Sequence, residues 1–326
     1  MSQELVMSRT PLRISFVGGG SDFSSYYKKV GYGCVISSTI DKYVYIVLHN
    51  RYDKLIRASY SKTEVVKNIN DLSHELIRES LRIYNVDNSI EVVSISDVTG
   101  QGTGLGSSSS YTVGLLNALS KISSNRNSKY NLAKAACDVE INRCKKPIGK
   151  QDQFAASFGG MNEIQFNSDG EVEVSPIKIS TNNLNILEEN LMLFDTNIKR
   201  KSSHILEEQQ EKYENRENLE LTKKMVQLRK PFKRALTENL DDVGLILNEA
   251  WETKRQLASK ITNSEIDELY KKGLSLGAVG GKLCGAGGGG FLMFYAKKEN
   301  QESIRRGLNN HRELKFSFDY EGTVIL

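Results

Sequence analysis

The sequence predicts an α+β fold in two domains, and three observations carry that prediction. The chain has 326 residues, which at ~150 residues per domain is room for about two cores. Strand-like and helix-like patterns succeed one another from residue 8 to about 180. From about 201 to 260 the text turns long, polar and helical. The boundary therefore falls near 180 to 190, dividing 1–185 from 186–326.

The elements follow in order. SRTPLRISFV reads as a strand running into a glycine cluster, and YVYIVL at 43–48 is rich in β-branched and aromatic residues. Residues 72–84 space Leu72, Leu76, Ile77, Leu81 and Tyr84 as a helix does, and IEVVSISD at 90–97 returns to a strand. SSSSYTVGLLNALSKI at 107–122 has apolar spacing near 3.6, with serines where N-caps belong. A helix is expected at about 130–145, then a break at Pro147 and Gly149, then a short helix from near Lys150 to Gly159 and Gly160. Strands follow at 161–166 and 171–178, and NLMLFDT at 190–196 is another. The remainder reads as helix at 263–275, strand at 279–284, a glycine cluster, strand at 291–296, helix at 300–310 and a final strand pair. No repeat of period 20 to 50 is present.

Composition excludes several functions. Lys plus Arg total 44 against 40 Asp plus Glu, a net charge of +4, so no broad surface tracks a duplex backbone and nucleic acid is not the expected partner. The N-terminus lacks the basic and apolar regions of a signal peptide, and no stretch approaches the ~20 apolar residues of a membrane span. A cytoplasmic protein with no membrane partner is expected. Cys34, Cys137, Cys144 and Cys284 are too scattered for a disulfide framework, and neither CxxC nor HExxH occurs. A reduced compartment without structural zinc follows.

The glycines concentrate the chemistry. Three windows, at 18–20, 100–106 and 285–290, hold 12 of the 26, which suits loops needing positive φ or close backbone approach. In the middle window a strand, a glycine loop and a helix N-terminus together offer N–H groups to a phosphate; the alternative is a flexible loop capped by serines. It is neither a Walker A loop nor a GxGxxG fingerprint, since Leu105 or Ser107 falls where the last glycine is needed. Downstream lie Glu140 and Asp152. Phosphoryl transfer needs an anion cradle, a magnesium site and a carboxylate for the attacking hydroxyl, and one serine with one carboxylate suffices for Mg²⁺. Ser108 and Glu140 are the candidates for it. The plainer readings are a solvated helix face for Glu140 and a helix-dipole carboxylate for Asp152. In the first window Arg13 stands on the strand, either a strand-edge charge or a group for a transferring phosphoryl, and Asp22 follows the loop, where it could hold sugar hydroxyls. The last window sits between two strands and reads as a hairpin with a mobile tip, although four consecutive glycines exceed what a hairpin requires.

Taken together, PLRISFVGGGSD, GLGSSSS, GKQDQFAASFGGMNEI, KRKSSHIL, AWETKRQL and GKLCGAGGGGFL resemble the GHMP small-molecule kinases, whose members include galactokinase, homoserine kinase, mevalonate kinase and phosphomevalonate kinase. All three family motifs occur in order between residues 11 and 290. Within the family the text is most similar to the sugar kinases of bacterial heptose activation. Galactokinases share Lys199 and Arg200 but usually end the first motif in GEHTDY.

The resemblance implies a ribosomal-protein-S5-like N-terminal domain and a ferredoxin-like C-terminal domain with catalysis at their junction. It implies that Asp152 orients or deprotonates the acceptor hydroxyl and that Arg13 stabilises the transferring phosphoryl. Gly102, Thr103, Gly104, Leu105, Gly106, Ser107, Ser108 and Ser109 would wrap the ATP phosphates, and Ser108 and Glu140 would hold Mg²⁺. Gly19, Gly20, Ser21, Asp22, Lys150, Gln151, Arg200, Gly287 and Gly288 would meet the acceptor. Gln101 replaces the proline common before the central motif. Two cationic groups suit a substrate phosphate, Lys199 to Lys201 and Lys254 with Arg255, the latter beside Trp251, which reads as a packing residue.

The implied reaction is ATP-dependent phosphorylation of the anomeric hydroxyl of a heptose 7-phosphate, for nucleotide-heptose synthesis. A free sugar such as fucose or galactose is the alternative acceptor, and a non-catalytic nucleotide and sugar sensor is the alternative class. The partners are ATP and a small sugar phosphate, with a homodimer the oligomeric expectation that no motif fixes.

Overall fold

The computed structural model describes residues 5–98, 102–123, 125, 127–199 and 203–326. In chain order the elements are β1 (Leu5–Val17), α1 (Ser24–Val30), β2 (Tyr32–Asn50), β3 (Ile56–Ser59), β4 (Thr63–Val66), α2 (Glu75–Ile83), β5 (Ile90–Ser96), α3 (Ser107–Ile122), α4 (Lys129–Cys137), α5 (Gln151–Phe158), β6 (Met161–Asn167) and β7 (Val172–Pro176). They continue as α6 (Thr181–Asn190), β8 (Leu191–Asp195), α7 (Ser203–Glu214), α8 (Leu219–Gln227), α9 (Arg229–Ala235), α10 (Asp241–Lys254), α11 (Ser264–Ser275), β9 (Gly280–Leu283), β10 (Phe291–Tyr295), α12 (Lys298–Gly307) and β11 (Val324–Ile325).

Among the described residues these strands form two sheets. The larger has eight strands, β11-β1-β2-β5-β3-β4 with β6 and β7 continuing from β2, and the smaller runs β8-β10-β9. The long β2 is the spine, pairing antiparallel with β1, β5 and β6 along different stretches. Its apolar run Cys34–Ile36 is wholly buried, which is what a strand covered on both faces requires. Pro11 interrupts no ladder because it stands at a register shift of the β1–β2 pair, where a missing N–H is tolerated. A second shift lies between Ser15 and Val17, and it turns the Phe16 carbonyl to another partner described below.

Helix α3 lies on β1 through small contacts. The Ser8 hydroxyl donates to the Gly114 carbonyl at 2.8 Å, and the Ser110 hydroxyl to that of Pro11 at 2.7 Å. A Cβ on Gly114 would come within 2.7 Å of the Thr10 Oγ1, so glycine there sets how closely α3 seats. The second unit builds its own core from Trp251, Phe194, Phe294, Leu283 and Leu292, all buried, and Trp251 is indeed a packing residue.

The structure departs from the sequence expectations at several places. The helix expected over 130–145 stops at Cys137, and Asp138–Arg143 form a π-helical turn. This widened turn carries Glu140 inward, and such turns recur at functional sites. The polar stretch after 201 is helical as expected, and resolves into four helices, α7 to α10. The short strands β3 and β4, and the helices α1 and α6, carried too little pattern to be read. Residue 185 falls inside α6. In place of a final strand pair, β11 alone joins β1, and Phe318 makes an isolated bridge to Ile40. The chain thus returns to the first sheet.

Candidate active site

The three glycine windows meet around one cavity of about 880 Å³. Arg13 and Ser15 reach it from the same face of β1, while Leu12, Ile14 and Phe16 enter the core, as a strand's period of two dictates. The Arg13 Nε and Nη2 donate to Asp152 Oδ1 and Oδ2, both at 2.7 Å, and Nη1 donates to the Gly104 carbonyl at 2.6 Å. Arg13 is 4% exposed and Asp152 24%, so the pair is screened on one side and open to the cavity on the other.

Asp22 joins two loops. Its carboxylate accepts from the Gly20 N–H and from both the backbone and the side-chain amide of Gln151, each at 3.2 Å. The backbone bond caps α5, which has no side-chain cap of its own. A Cβ on Gly149 would lie 2.0 Å from Asp22 Oδ2, so glycine is required for this approach. Burial, and then the negative charge of Asp152, push the Asp22 carboxyl up to about 6.

Glu140 is fully buried and satisfied. Ser108 donates to its Oε1, and Ser109 and Gln153 donate to its Oε2, each at 2.7 Å. Lys146 Nζ donates to Ser108 Oγ at 2.8 Å and stands 3.5 Å from Glu140 Oε1. The middle loop above them has positive φ at Gly102, Gly104 and Gly106. Gly106 takes the N-cap position of α3 with no side-chain cap, leaving that helix N-terminus open for an anion.

The last window buttresses the middle one. Gly285 and Gly287 to Gly290 all have φ between 65° and 156°, where only glycine is unstrained. A Cβ on Gly285 would be 2.4 Å from the Gly104 Cα, and the Phe291 N–H donates to the Thr103 carbonyl at 3.1 Å. This is a packed clamp, not a mobile hairpin tip. Lys282, on β9, donates to the Phe16 carbonyl at 2.7 Å across the two units. Burial lowers its ammonium to about 8, with Arg13 adding to the effect.

Not every expected residue faces this cavity. Gly19, Gly20, Asp22, Gln151, Gly287 and the loop residues Gly102, Thr103, Gly104, Gly106 and Ser107 to Ser109 line it. Leu105 instead points into the core, and only its carbonyl serves the site, accepting the Arg13 N–H at 2.9 Å. Ser21 is fully buried and exchanges hydrogen bonds with the Cys34 backbone. Lys150 turns to the Gly170 carbonyl at 2.7 Å and over the Tyr27 ring. Gly288 lies behind the loop, its N–H donating to the Ile261 carbonyl. Arg200 and Lys201 lie outside the described residues. Lys254 lines the cavity and donates to the carbonyls of Leu283 and Gly285, whereas Arg255 pairs with Asp267 at 2.5 Å.

Sequence reading missed Ser15, Lys146, Lys282, Tyr60, His74 and Tyr111, all of which line the cavity. Ser15 was findable, being two residues from Arg13 on one strand. Three aromatic rings gather at one end, His74 meeting Tyr60 edge-on at 4.5 Å and stacking on Tyr111 at 5.3 Å between centroids; no local pattern joins three residues so far apart in sequence.

A glycine cradle at a helix N-terminus beside an arginine-aligned carboxylate defines a phosphotransferase site. The chain matches the model of the GHMP kinases N terminal domain over residues 61–160 and that of the GHMP kinases C terminal over 228–313. It is 30% identical to a D-glycero-alpha-D-manno-heptose 7-phosphate kinase of Campylobacter jejuni, over 97% of each chain. A D-glycero-D-manno-heptose 1-phosphate kinase structure from Bacteroides thetaiotaomicron is 26% identical and superposes with a TM-score of 0.82 over 98% of each chain. The galactokinase of Lactococcus lactis in complex with galactose, 16% identical, shares the fold at a TM-score of 0.76 over 99% of this chain and 95% of that one. The protein belongs to the GHMP kinase family and has its two-domain fold. It is an ATP-dependent kinase.

Proposed function

We propose that this enzyme phosphorylates the anomeric hydroxyl of a D-glycero-D-manno-heptose 7-phosphate, giving the 1,7-bisphosphate. The observation that carries the reading is the two-point Arg13–Asp152 pair, open to a cavity that Asp22 and the glycine cradle also line. The acceptor hydroxyl loses its proton to Asp152 as its oxygen bonds the γ-phosphorus, the bond to the β–γ bridging oxygen breaks, and ADP leaves. Arg13 stabilises the charge on the transferring group. Asp22 and Gln151 hold sugar hydroxyls beside Gly19 and Gly20. The amides of Gly102 to Ser109 wrap the nucleotide phosphates, and Tyr60, His74 and Tyr111 supply aromatic faces for the base.

Ser108 and Glu140 fit Mg²⁺: both present hard oxygen atoms, and a lysine ammonium already stands beside them as a cation would. When bound, the ion neutralises charge on the nucleotide phosphates. The C. jejuni relative named for a heptose 7-phosphate favours that acceptor. Arg200 is the proposed ligand of the substrate's own phosphate, a role that rests on the family resemblance. A cytoplasmic location, a homodimer and a domain boundary within 180–190, where α6 makes the passage between the two units, complete the reading.

The test is ADP release from Mg-ATP with heptose 7-phosphate, unphosphorylated heptose, galactose and fucose, the product being read by phosphorus NMR. An anomeric phosphate formed only from the 7-phosphate supports the reading. Turnover of a free sugar replaces the acceptor, and nucleotide binding without turnover on any sugar leaves a sensor.

A further inference from the structure

A positive charge already sits beside Ser108 and Glu140. Lys146 follows the π-helical turn, and its backbone N–H donates to the Glu140 carbonyl at 2.9 Å, which holds it against the residue its side chain then faces. Its Nζ reaches Ser108 Oγ at 2.8 Å and lies 3.5 Å from Glu140 Oε1. Glu140 Oε2 is committed to Ser109 and Gln153. A divalent ion can therefore use only Glu140 Oε1 and Ser108 Oγ, the same two atoms the ammonium holds. Two cations cannot share that space without a further negative charge.

We infer that Lys146 is a placeholder for the metal and a ligand of the nucleotide's phosphates. Its ammonium keeps the buried Glu140 carboxylate compensated in the free enzyme. When the nucleotide brings its phosphates, Lys146 transfers to one of their oxygens and the metal takes the vacated position. Two facts suit that movement: the Lys146 side chain is 28% exposed, whereas that of Glu140 is wholly buried, and it lines the same cavity as Gly106 to Ser108. A four-carbon stem has the reach and freedom for it. The consequence is that metal binds the free enzyme poorly and the nucleotide complex well. This rests on the reading that Ser108 and Glu140 hold the metal.

The experiment titrates the full-length enzyme with Mn²⁺, read by electron paramagnetic resonance, with and without ADP. Lys146→Met is expected to bind Mn²⁺ in the absence of nucleotide about tenfold more tightly than the parent. It is also expected to bind metal-free ADP several-fold more weakly, while Lys146→Arg keeps the parent's behaviour on both counts. Unchanged Mn²⁺ affinity, or unchanged ADP affinity, in Lys146→Met overturns the inference. Lys146→Gln serves the same comparison if the methionine variant does not fold. Ser108→Ala and Glu140→Gln test the underlying reading separately: if both bind Mn²⁺ with ADP as the parent does, the metal lies elsewhere, whatever Lys146 does.

Discussion

Arg13 and Asp152 meet as a two-point pair, Nε to Oδ1 and Nη2 to Oδ2, both at 2.7 Å. Their separation of 139 positions in sequence is closed by β1 and α5 converging on one cavity wall. A planar guanidinium fixes the plane of the carboxylate facing it, so the oxygen lone pairs left over point in set directions. Asp152→Asn removes the proton acceptor but keeps the size of the side chain. Its kcat should fall at least ~100-fold, with ATP affinity changed only a few-fold; steady-state kinetics and a nucleotide titration check both numbers together.

The Asp22 carboxyl lies well above the ordinary carboxylate range. Its carboxyl is pushed up to about 6 by burial and by Asp152, so it is charged at pH 7 and takes up a proton as pH falls through 6. The protonated form loses a charge-assisted acceptor for sugar hydroxyls. The KM for the acceptor should therefore rise from pH 7 to pH 5, and in Asp22→Asn that rise should shrink to the part set by the acceptor's own phosphate, which titrates at about 6. A pH series of KM in both proteins decides it.

Gly104 has a φ of +77°, and a Cβ there would stand 2.5 Å from the Cys284 carbonyl oxygen. Gly104→Ala combines backbone strain with a clash against the last glycine window. A loss of about 1–3 kcal/mol is expected, together with a raised KM for ATP. Denaturant unfolding and nucleotide kinetics should move together, because one contact joins the two loops.

Ser109 donates to the buried Glu140 Oε2, which also accepts from Gln153. Ser109→Ala leaves one of those two donors in place, so the expected cost is about 1 kcal/mol. Glu140→Ala strands Ser108, Ser109 and Gln153 at once and should cost clearly more. Urea midpoints of the two variants give the comparison.

Much of this site was legible because its parts are local. Each glycine window announces a loop, and Arg13 and Asp22 flank the first of them, while Glu140 and Asp152 lie well downstream of the second. What failed was direction. Leu105, Ser21 and Lys150 are neighbours of working residues, yet a turn or helix sends each elsewhere: Leu105 to the core, Ser21 to the Cys34 backbone, Lys150 to Gly170. Neighbourhood in sequence does not set which way a side chain leaves a loop. The π-helical turn at Asp138–Arg143 has no distinguishing pattern either, since its residues suit an ordinary helix. Lys146 was hidden by number, one among 44 basic residues, and only its contacts separate it from the rest. β3 escaped because its four residues find their place by pairing parallel with the distant β5.

The strand that carries Arg13 is finished from far away. Ser8 and Arg9 pair with Ile325 and Val324, and Thr10 shares a hydrogen bond at 2.8 Å with Thr323, 313 positions later. During synthesis, then, the outer edge of β1 stays bare until almost the whole of this sequence has been translated, and a bare edge is a template for wrong pairing. A nascent chain stalled before Thr323 would carry every catalytic motif and still expose that edge. The kinase thus acquires its catalytic motifs before the edge that carries Arg13 is covered.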